Sequence, residues 1–385
     1  MMCSCLIYQV TPPHPPPTCG GEDKGGGWLD ESSNYTKING LSHYRVIRDR
    51  PFPSPRNRRN EMDLATHTLT GLLLSRTGIN EPLGRPAKVA LVVGAVLPDI
   101  DFVAGLNGGL STLRFHRDLT HSFFGGFLLA MALAGLIYWL SSTRRYWPLV
   151  GLSYLGILSH IFLDVITSFG TQVLSPFSRA RYALDLVSII DPYFTAILAF
   201  SFLMTYLWRR KAPFFARIGF IALGAYLILS SYNHSRALEK GFLSARAQGV
   251  TGIKRAAALP RFYGPFNWAV LIQTENAIYR SRLNLLDSSP IHWEAFYSSP
   301  SNPFIQRAEG LQEVRTFLWF SRFPLVVYRN YGEGHIVEYA DLRFGRAGPH
   351  SPFFLRVVMD RDGDVKVIES PPPLLRRVVN ILLRR

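Results

Sequence analysis

The sequence predicts a mainly α-helical protein, a multi-pass transmembrane helical bundle followed by a small soluble α+β domain. The clearest sign is residues 122–140, which contain no charge. At about 1.5 Å per residue this helix would reach roughly 28 Å, close to the thickness of a bilayer's hydrocarbon core. Further apolar runs of helical length surround it, whereas beyond residue 235 short alternating runs separated by turns such as YGEG and DRDGD indicate strands.

Composition agrees with a chain that lies partly in a membrane and partly in water. The 385 residues suggest two or three domains and are 48% hydrophobic. The net charge of +15 is compatible with nucleic-acid binding, but the cationic residues are scattered among apolar spans, as in membrane proteins. We therefore expect a lipid bilayer and a small-molecule or lipid substrate as partners, and no nucleic acid. The sequence does not indicate an oligomeric state.

The chain divides into three parts. Residues 1–61, with segments such as PPHPPP and GGEDKGGG, lack any core-forming pattern and are expected to be disordered. We expect Met62 to be the natural start, the alternative being a genuine N-terminal tail. Residues 62–235 form the predicted membrane domain and residues 236–385 the soluble domain.

The apolar pattern places the helices and strands. Five or six apolar helices are predicted in the membrane domain, at about 64–76, 87–106, 122–140, 147–166, 189–208 and 214–232, the first being short for a membrane span. In the soluble domain we predict helices at 234–247 and near 304–322, and strands at 267–275, 277–286, 324–330, 335–344, 353–360 and 365–369. The basic amphipathic end, residues 374–385, would lie on anionic lipid or dock on the sheet.

Polar residues of the membrane domain gather at one side of the bundle if successive helices alternate in direction. A charge at mid-membrane costs something like 2.5 to 3.5 kcal/mol, so such a set indicates a functional site. The set comprises His67, Asp99, Asp101, His116, His121, His160, Asp164, Asp185 and Asp191.

Spacing suggests what some of these residues do. His160 and Asp164 are four apart and share a helix face, as a pair of metal ligands requires, although a carboxylate that orients a core histidine is the alternative. His116 and His121 diverge on a regular helix, so His116 fits the preceding loop and His121 the first turn. Thr120 is equally readable as a helix N-cap.

Three aspartates and one histidine leave alternatives open. Pro98 disfavours a helix at Leu97, so one of Asp99 and Asp101 would be a ligand and the other a second-shell or bridging group. His67 alone is weak evidence for a site. Asp191 precedes a proline and fits a helix N-cap equally well.

The ligand types indicate the chemistry. The three cysteines lie in the first twenty residues, which excludes a cysteine zinc site elsewhere. Imidazole and carboxylate together suit zinc above all, or manganese, iron or nickel, and there are too many ligands for one tetrahedral ion. We therefore expect two ions and hydrolysis of a phosphoester or amide. Arg117 and Arg181 would bind phosphate or anchor lipid headgroups.

Five ordered motifs carry a resemblance. MDLATHTLTG, LPDID, HRDLTHS, HIFLDVITSFGTQVLSPFS and RYALDLVSIIDP together resemble the bacterial membrane-bound metal-dependent hydrolases, the YdjM-like group that includes LexA-regulated inner-membrane proteins. The resemblance implies seven metal-site residues: His67, Asp99, Asp101, His116, His121, His160 and Asp164. It places Ser168, Arg181, Asp185 and Asp191 around them. A weaker similarity to the helical zinc phospholipase C and P1 nuclease group favours phosphoesters.

These observations give a working hypothesis. We predict catalytic roles for Asp101, Arg117 and Asp191, and substrate contacts for Ser168, Arg181 and Asp185. The alternatives are a metal-stabilised membrane scaffold or regulator without turnover and, more weakly, a transporter. An open coordination position would favour the enzyme and a closed shell the scaffold.

The distribution of Lys and Arg predicts the orientation in the bacterial inner membrane. Nine lie in the predicted loops away from the site and four in the loops beside it. The positive-inside rule therefore predicts that the site and the soluble domain are exoplasmic. Arg56, Arg58 and Arg59, just before the first helix, argue the other way.

Overall fold

The computed structural model describes residues 62–79, 83–101, 109–332, 334–345 and 353–370. Its helices in the first half are α1 Met62–Leu74, α2 Gly84–Gly94, α3 Gly109–Phe115, α4 Phe123–Leu140, α5 Tyr146–Val165, α6 Pro192–Leu207 and α7 Ala212–Ala247. A 3₁₀ turn, Leu119–His121, precedes α4. The predictions for residues 1–61 and 374–385 lie outside the described residues.

Within these described ranges, three segments are long and apolar enough to cross a membrane: α4, α5 and Arg209–Ala247, which contains α7. The apolar helices α1 and α6 are shorter. The predicted helix 87–106 is wrong, because α2 ends at Gly94 and a turn leads into a 3₁₀ segment around Pro98. Proline disfavours a helical residue before it, so the chain leaves the helix before the two aspartates.

One continuous helix replaces the two predicted at 214–232 and 234–247. At about 1.5 Å per residue, the 36 residues of α7 extend roughly 54 Å. Its first half packs against α6, with Leu223 beside Leu198, and its second half packs against the first β-sheet through Ala237 and Ala245. The predicted domain boundary at residue 235 therefore lies inside a helix.

Two glycines bring α2 and α5 into backbone contact. A Cβ atom on Gly94 would lie 2.5 Å from the Ser153 carbonyl oxygen, and one on Gly156 would lie 2.5 Å from that of Leu91. No larger side chain fits between the helices without separating them. This contact holds the end of α2 beside the part of α5 that carries His160.

The second half contains two four-stranded antiparallel sheets in the described residues, each with strands in chain order. The first comprises β1 Arg255–Pro260, β2 Asn267–Gln273, β3 Ala277–Asn284 and β4 Trp293–Tyr297. Helices α8 Pro303–Glu309 and α9 Gln312–Phe320 follow, then β5 Pro324–Asn330, β6 Gly334–Asp341, β7 Phe354–Asp360 and β8 Val365–Glu369.

Most of these elements were predicted. The helix expected at 304–322 is divided into α8 and α9 at Gly310. Two strands, β1 and β4, were not predicted. The sequence of β1, RAAALP, is rich in alanine, which has a weak strand preference, and β4 has only five residues.

The first sheet packs on α7 with one face and on the second sheet with the other. Trp268 and Val270 face α7, while Leu259 and Leu271 pack against Phe323. A separate core joins α8, α9 and the second sheet, and it also contains Phe169, from the loop after α5. That loop is therefore built into the C-terminal domain.

Candidate metal centre

All seven predicted metal-site residues come together. His67 lies on α1, Asp99 and Asp101 follow α2, His116 follows α3, His121 ends the 3₁₀ turn, and His160 and Asp164 lie near the end of α5. They form two groups, and within each group the candidate ligand atoms lie within 4.8 Å of one another. The first group comprises Asp99, Asp101, His116 and His121, and the second comprises His67, His160 and Asp164.

Four atoms drawn from both groups enclose one point. The Nε2 atoms of His121 and His160 lie 3.1 Å apart. Both are 3.5 Å from Asp99 Oδ1, and they lie 3.3 and 3.6 Å from Asp164 Oδ2. Ligands of a tetrahedral ion with bonds of about 2.0 to 2.1 Å are separated by roughly 3.3 Å. Every pair here that includes an imidazole matches that spacing within a few tenths of an ångström.

Hydrogen bonds at the other ring nitrogens fix both imidazoles. His160 Nδ1 lies 2.8 Å from the carbonyl oxygen of Ala95, which can only accept, so Nδ1 carries the hydrogen. His121 Nδ1 lies 3.1 Å from Asp101 Oδ2. A neutral imidazole that carries its hydrogen on Nδ1 has its lone pair on Nε2. In both rings, Nε2 faces the point that the four atoms enclose. Carboxylate or carbonyl support of this kind is usual for metal-binding histidines.

Asp101 is a hydrogen-bond partner of two imidazoles. Its Oδ1 lies 2.8 Å from His116 Nδ1. Its Oδ2, besides facing His121, accepts from the Arg117 backbone N–H and the Thr120 hydroxyl. Both oxygens of Asp101 are thus hydrogen-bonded, and Asp101 also belongs to the first group that could hold a metal. Asp99 Oδ1, by contrast, lies beside the two Nε2 atoms.

Thr120 and the helix start complete this turn. The N-cap of α4 is Ser122, whose hydroxyl oxygen accepts from the Gly125 N–H. Thr120, which the sequence also allowed as the cap, instead holds Asp101. A Cβ atom on Gly125 would lie 2.0 Å from the Leu119 carbonyl oxygen. Glycine is therefore required where the 3₁₀ turn packs on α4.

Arg117 pairs with the carboxylate of Asp164. Its backbone has the left-handed φ of 62°, uncommon outside glycine. Its guanidinium is buried, with Nη2 2.9 Å from Asp164 Oδ1 and Nη1 donating to Thr167 Oγ1. Arg117 thus pairs with Asp164 and does not face solvent, in contrast to a phosphate-binding or headgroup role.

The electrostatics favour a cation. Burial raises the pKa of Asp99 and Asp101, but hydrogen bonds from His121 and His160 to Asp99, and from His116 and His121 to Asp101, hold both pKa values well below the usual range. Burial lowers the pKa of His121, whereas Asp101, Asp99 and Asp164 raise it to about 9. A metal ion that bound His121 would displace its proton. With all imidazoles then neutral, three carboxylates and Arg117 leave two negative charges, which one divalent ion balances.

His67 lies on the far side of this set. Its ring stacks on His160 with centroids 3.7 Å apart, and its Nε2 lies 3.5 Å from Asp164 Oδ1, the oxygen that also pairs with Arg117. The centre is deeply buried except at Asp99, whose side chain is 20% exposed. Access from outside the protein is therefore at the Asp99 edge.

Asp191 caps α6. Its Oδ1 accepts from the Tyr193 and Phe194 N–H groups, and its Oδ2 accepts from the Tyr226 hydroxyl at 2.7 Å. It belongs to neither ligand group of the described residues. The capping alternative therefore describes its contacts, in contrast to the predicted catalytic role.

The three predicted substrate contacts lie where the C-terminal domain meets the loop after α5. Asp185 makes a two-point ion pair with Arg322, at 2.9 and 2.8 Å. The Ser168 carbonyl oxygen accepts from Arg343, which also pairs with Asp341.

Arg181 is buried beside this junction. It lies over the rings of Phe169, Trp319 and Phe320 and donates to the Gly170 carbonyl oxygen at 2.7 Å. Burial lowers its pKa to about 9, and the nearby charges of Arg343 and Arg117 act in the same direction. Sequence reasoning missed Arg322 and Arg343, because an arginine in a soluble domain carries no local signal of such a role.

Comparison with known proteins identifies the helical part. Residues 62–237 match the model of the YdjM inner membrane protein family. Over these residues the chain is similar to that family. The Bacillus subtilis (strain 168) protein named as uncharacterized protein YfhP is 24% identical over 315 residues, which cover 78% of this chain and 92% of that protein. Because this alignment is much longer than the YdjM match, the similarity continues into the C-terminal domain. No solved structure matches the chain.

Proposed function

We propose that this protein, whose helical part is similar to the YdjM family, is a multi-pass, metal-dependent hydrolase of the bacterial inner membrane that acts on a phosphoester or lipid-linked substrate. The observation that carries the proposal is the pair of imidazole Nε2 atoms 3.1 Å apart between two carboxylates. His121, His160, Asp99 and Asp164 would hold one ion. Zinc suits this donor set best, with manganese, iron or nickel as alternatives.

A second ion would use the ligands that the first leaves over. Asp164 Oδ1 lies 3.5 Å from His67 Nε2 and also pairs with Arg117. Asp164 and His67 would take part in holding the second ion. Two-ion sites are common in phosphatases and nucleases.

The chain's own residues would prepare this centre for hydrolysis. When bound, the ions supply Lewis acidity toward a phosphoryl oxygen and toward water. Asp101 orients the His121 ring, the Ala95 carbonyl orients His160, and Arg117 holds Asp164. The exposed edge at Asp99 admits substrate, while the buried imidazoles remain rigid.

The helix ends support a position at one membrane face. The ligand His121 precedes α4 and the ligands of α5 lie near its end, so both sets are at the same end of these antiparallel helices. Arg144 and Arg145 lie at the opposite end, as do the basic residues 209–211 between α6 and α7. The positive-inside rule assigns that end to the cytoplasm and the metal centre to the exoplasmic side.

A metal-stabilised scaffold without turnover is the second candidate. Four protein ligands would close a tetrahedral shell, and closed shells are typical of structural zinc sites. This role predicts a bound ion with no position for substrate.

One experiment separates the two candidates. The full chain, purified in detergent and loaded with Co²⁺, is titrated with inorganic phosphate and assayed with monoester, diester and phospholipid substrates. The hydrolase predicts a changed Co²⁺ absorption spectrum with phosphate and metal-dependent turnover. An unchanged spectrum with no turnover of any substrate supports the scaffold.

A further inference from the structure

An apolar rim lies beside the metal centre. We define the rim as Leu119, Leu174 and Phe177, whose exposed fractions are 46%, 43% and 80%. Leu119 is in the 3₁₀ turn that carries His121, and the other two are in the loop after α5. Large apolar side chains are thus exposed beside the segment that carries a ligand.

The rim is fixed against the start of α4. The Phe177 ring packs edge to face on Phe124 with centroids 5.5 Å apart. The Phe123 N–H donates to the Val173 carbonyl oxygen at 2.9 Å, and the Ser175 hydroxyl donates to Asp118 at 2.6 Å. The exposed rim side chains are therefore held in place by the structure around them.

The rim continues the exposed face of α4. Phe124, Phe127 and Leu128 on that helix are also exposed, and the helix is long and apolar enough to cross a membrane. A contiguous apolar surface of this kind marks a membrane or partner contact. Because the exposed apolar surface includes both the rim and α4, lipid acyl chains are the partner that would contact both.

The rim adjoins the second-shell residues of the centre. Leu119 precedes Thr120, which donates to Asp101, and Ile100, between the two aspartates, is also exposed. The less buried edge of the centre, at Asp99, thus has an exposed apolar neighbour, Ile100, on its own turn.

We infer that the site takes an amphiphile lodged in the bilayer, with its phosphoester head at the Asp99 edge and its acyl chains along the rim. This inference rests on the proposed hydrolase function and names its substrate class. It also predicts where the rim lies relative to the lipid, which can be measured without any turnover.

The rim position is tested by spin labelling of the full chain, with Cys3, Cys5 and Cys19 replaced by serine. Single cysteines are introduced as Leu119→Cys and Phe177→Cys, with Leu136→Cys on α4 and Leu286→Cys in the C-terminal domain as lipid and water controls. In phosphatidylethanolamine and phosphatidylglycerol vesicles, the rim labels should be more accessible to oxygen than to chromium oxalate, like the label at residue 136. Accessibility like that at residue 286, or spin–spin broadening from a second copy at the rim, would overturn the inference.

The substrate class is tested with Leu119→Ser/Phe177→Ser. Hydrolysis of a long-chain phosphoester in these vesicles should fall at least tenfold more than hydrolysis of a water-soluble phosphoester. Equal loss on both substrates, or no loss on either, would overturn the substrate assignment. If the unmodified protein hydrolyses neither, the proposed function fails together with this assignment, whereas the labelling result still reports whether lipid covers the rim.

Discussion

The Nε2 atoms of His121 and His160 face each other at 3.1 Å, while their Nδ1 atoms are held by Asp101 and by the Ala95 carbonyl oxygen. Two rings fixed in this way, with ionised carboxylates on either side, favour a positive charge between them. The metal proposal depends on this geometry, and the predictions below test its parts.

Removing a ligand should remove metal. His160→Ala deletes one of four donors, so zinc retained after desalting should fall at least tenfold compared with the unmodified chain. His292→Ala, which removes an exposed histidine of the C-terminal domain, is the matched control and should keep its zinc. Equal zinc content in the two variants would mean that His160 is not a ligand.

Removing a second-shell partner should weaken binding less than removing a ligand. Asp101→Asn loses the anionic partner of His121 and His116, and second-shell changes typically cost 10- to 100-fold in metal affinity. Competition with a chromophoric chelator measures this. Asp118→Asn, in the same segment but hydrogen-bonded to Ser175, should change affinity less than threefold. A loss in Asp101→Asn no larger than in this control would contradict the orienting role.

The glycine contact between α2 and α5 should be required for the site. Gly156→Ala places a Cβ against the Leu91 carbonyl oxygen and should destabilise the protein by about 1 to 3 kcal/mol, with weaker metal binding because His160 moves from Ala95. Gly151→Ala, on the same helix with open space around it, is the control. Thermal unfolding in detergent and chelator competition report the two effects. If both variants behave alike, the close approach is unimportant.

The buried pair of Arg322 and Asp185 should fasten the C-terminal domain to the loop after α5. Arg322→Gln leaves a buried carboxylate and should cost about 3 to 5 kcal/mol. Asp185→Asn should be similarly harmful, and the double variant should be less harmful than the sum of the two. Lys254→Gln, which breaks an exposed pair with Glu275, should cost under about 1 kcal/mol. Additive losses in the double variant would refute direct coupling.

The sequence predicted which residues gather at the candidate metal centre, because much of their spacing is local. His160 and Asp164 share one face near the end of α5, and His121 lies just before α4, the preceding helix, so alternation of helix direction brings them to one end. The distinction between Asp99 and Asp101 was not predictable, because it depends on hydrogen bonds from His116, Arg117 and Thr120. The pairing of Asp185 with Arg322 joins residues 137 positions apart and leaves no periodic signal.

Part of the fold was also predictable from the sequence. The helices α4, α5 and α6 and the strand β5 follow from apolar periodicity and were placed within a few residues. The early end of α2 was not predicted, because the sequence stays apolar beyond Gly94 and this pattern was given more weight than Pro98. The continuous α7 was not predicted, because the composition becomes polar near residue 233. No proline or glycine lies at residues 225–240, so the helix continues through that change.

X-ray absorption of the full chain, purified without chelator and loaded with zinc, tests the central claim most directly. The account predicts at least one zinc per chain, coordinated by about four nitrogen and oxygen atoms at roughly 2.0 Å with imidazole scattering and no sulfur. In His121→Ala/His160→Ala this signal should disappear. Zinc that is lost on desalting, or that keeps the same imidazole signal in the double variant, would contradict the metal centre.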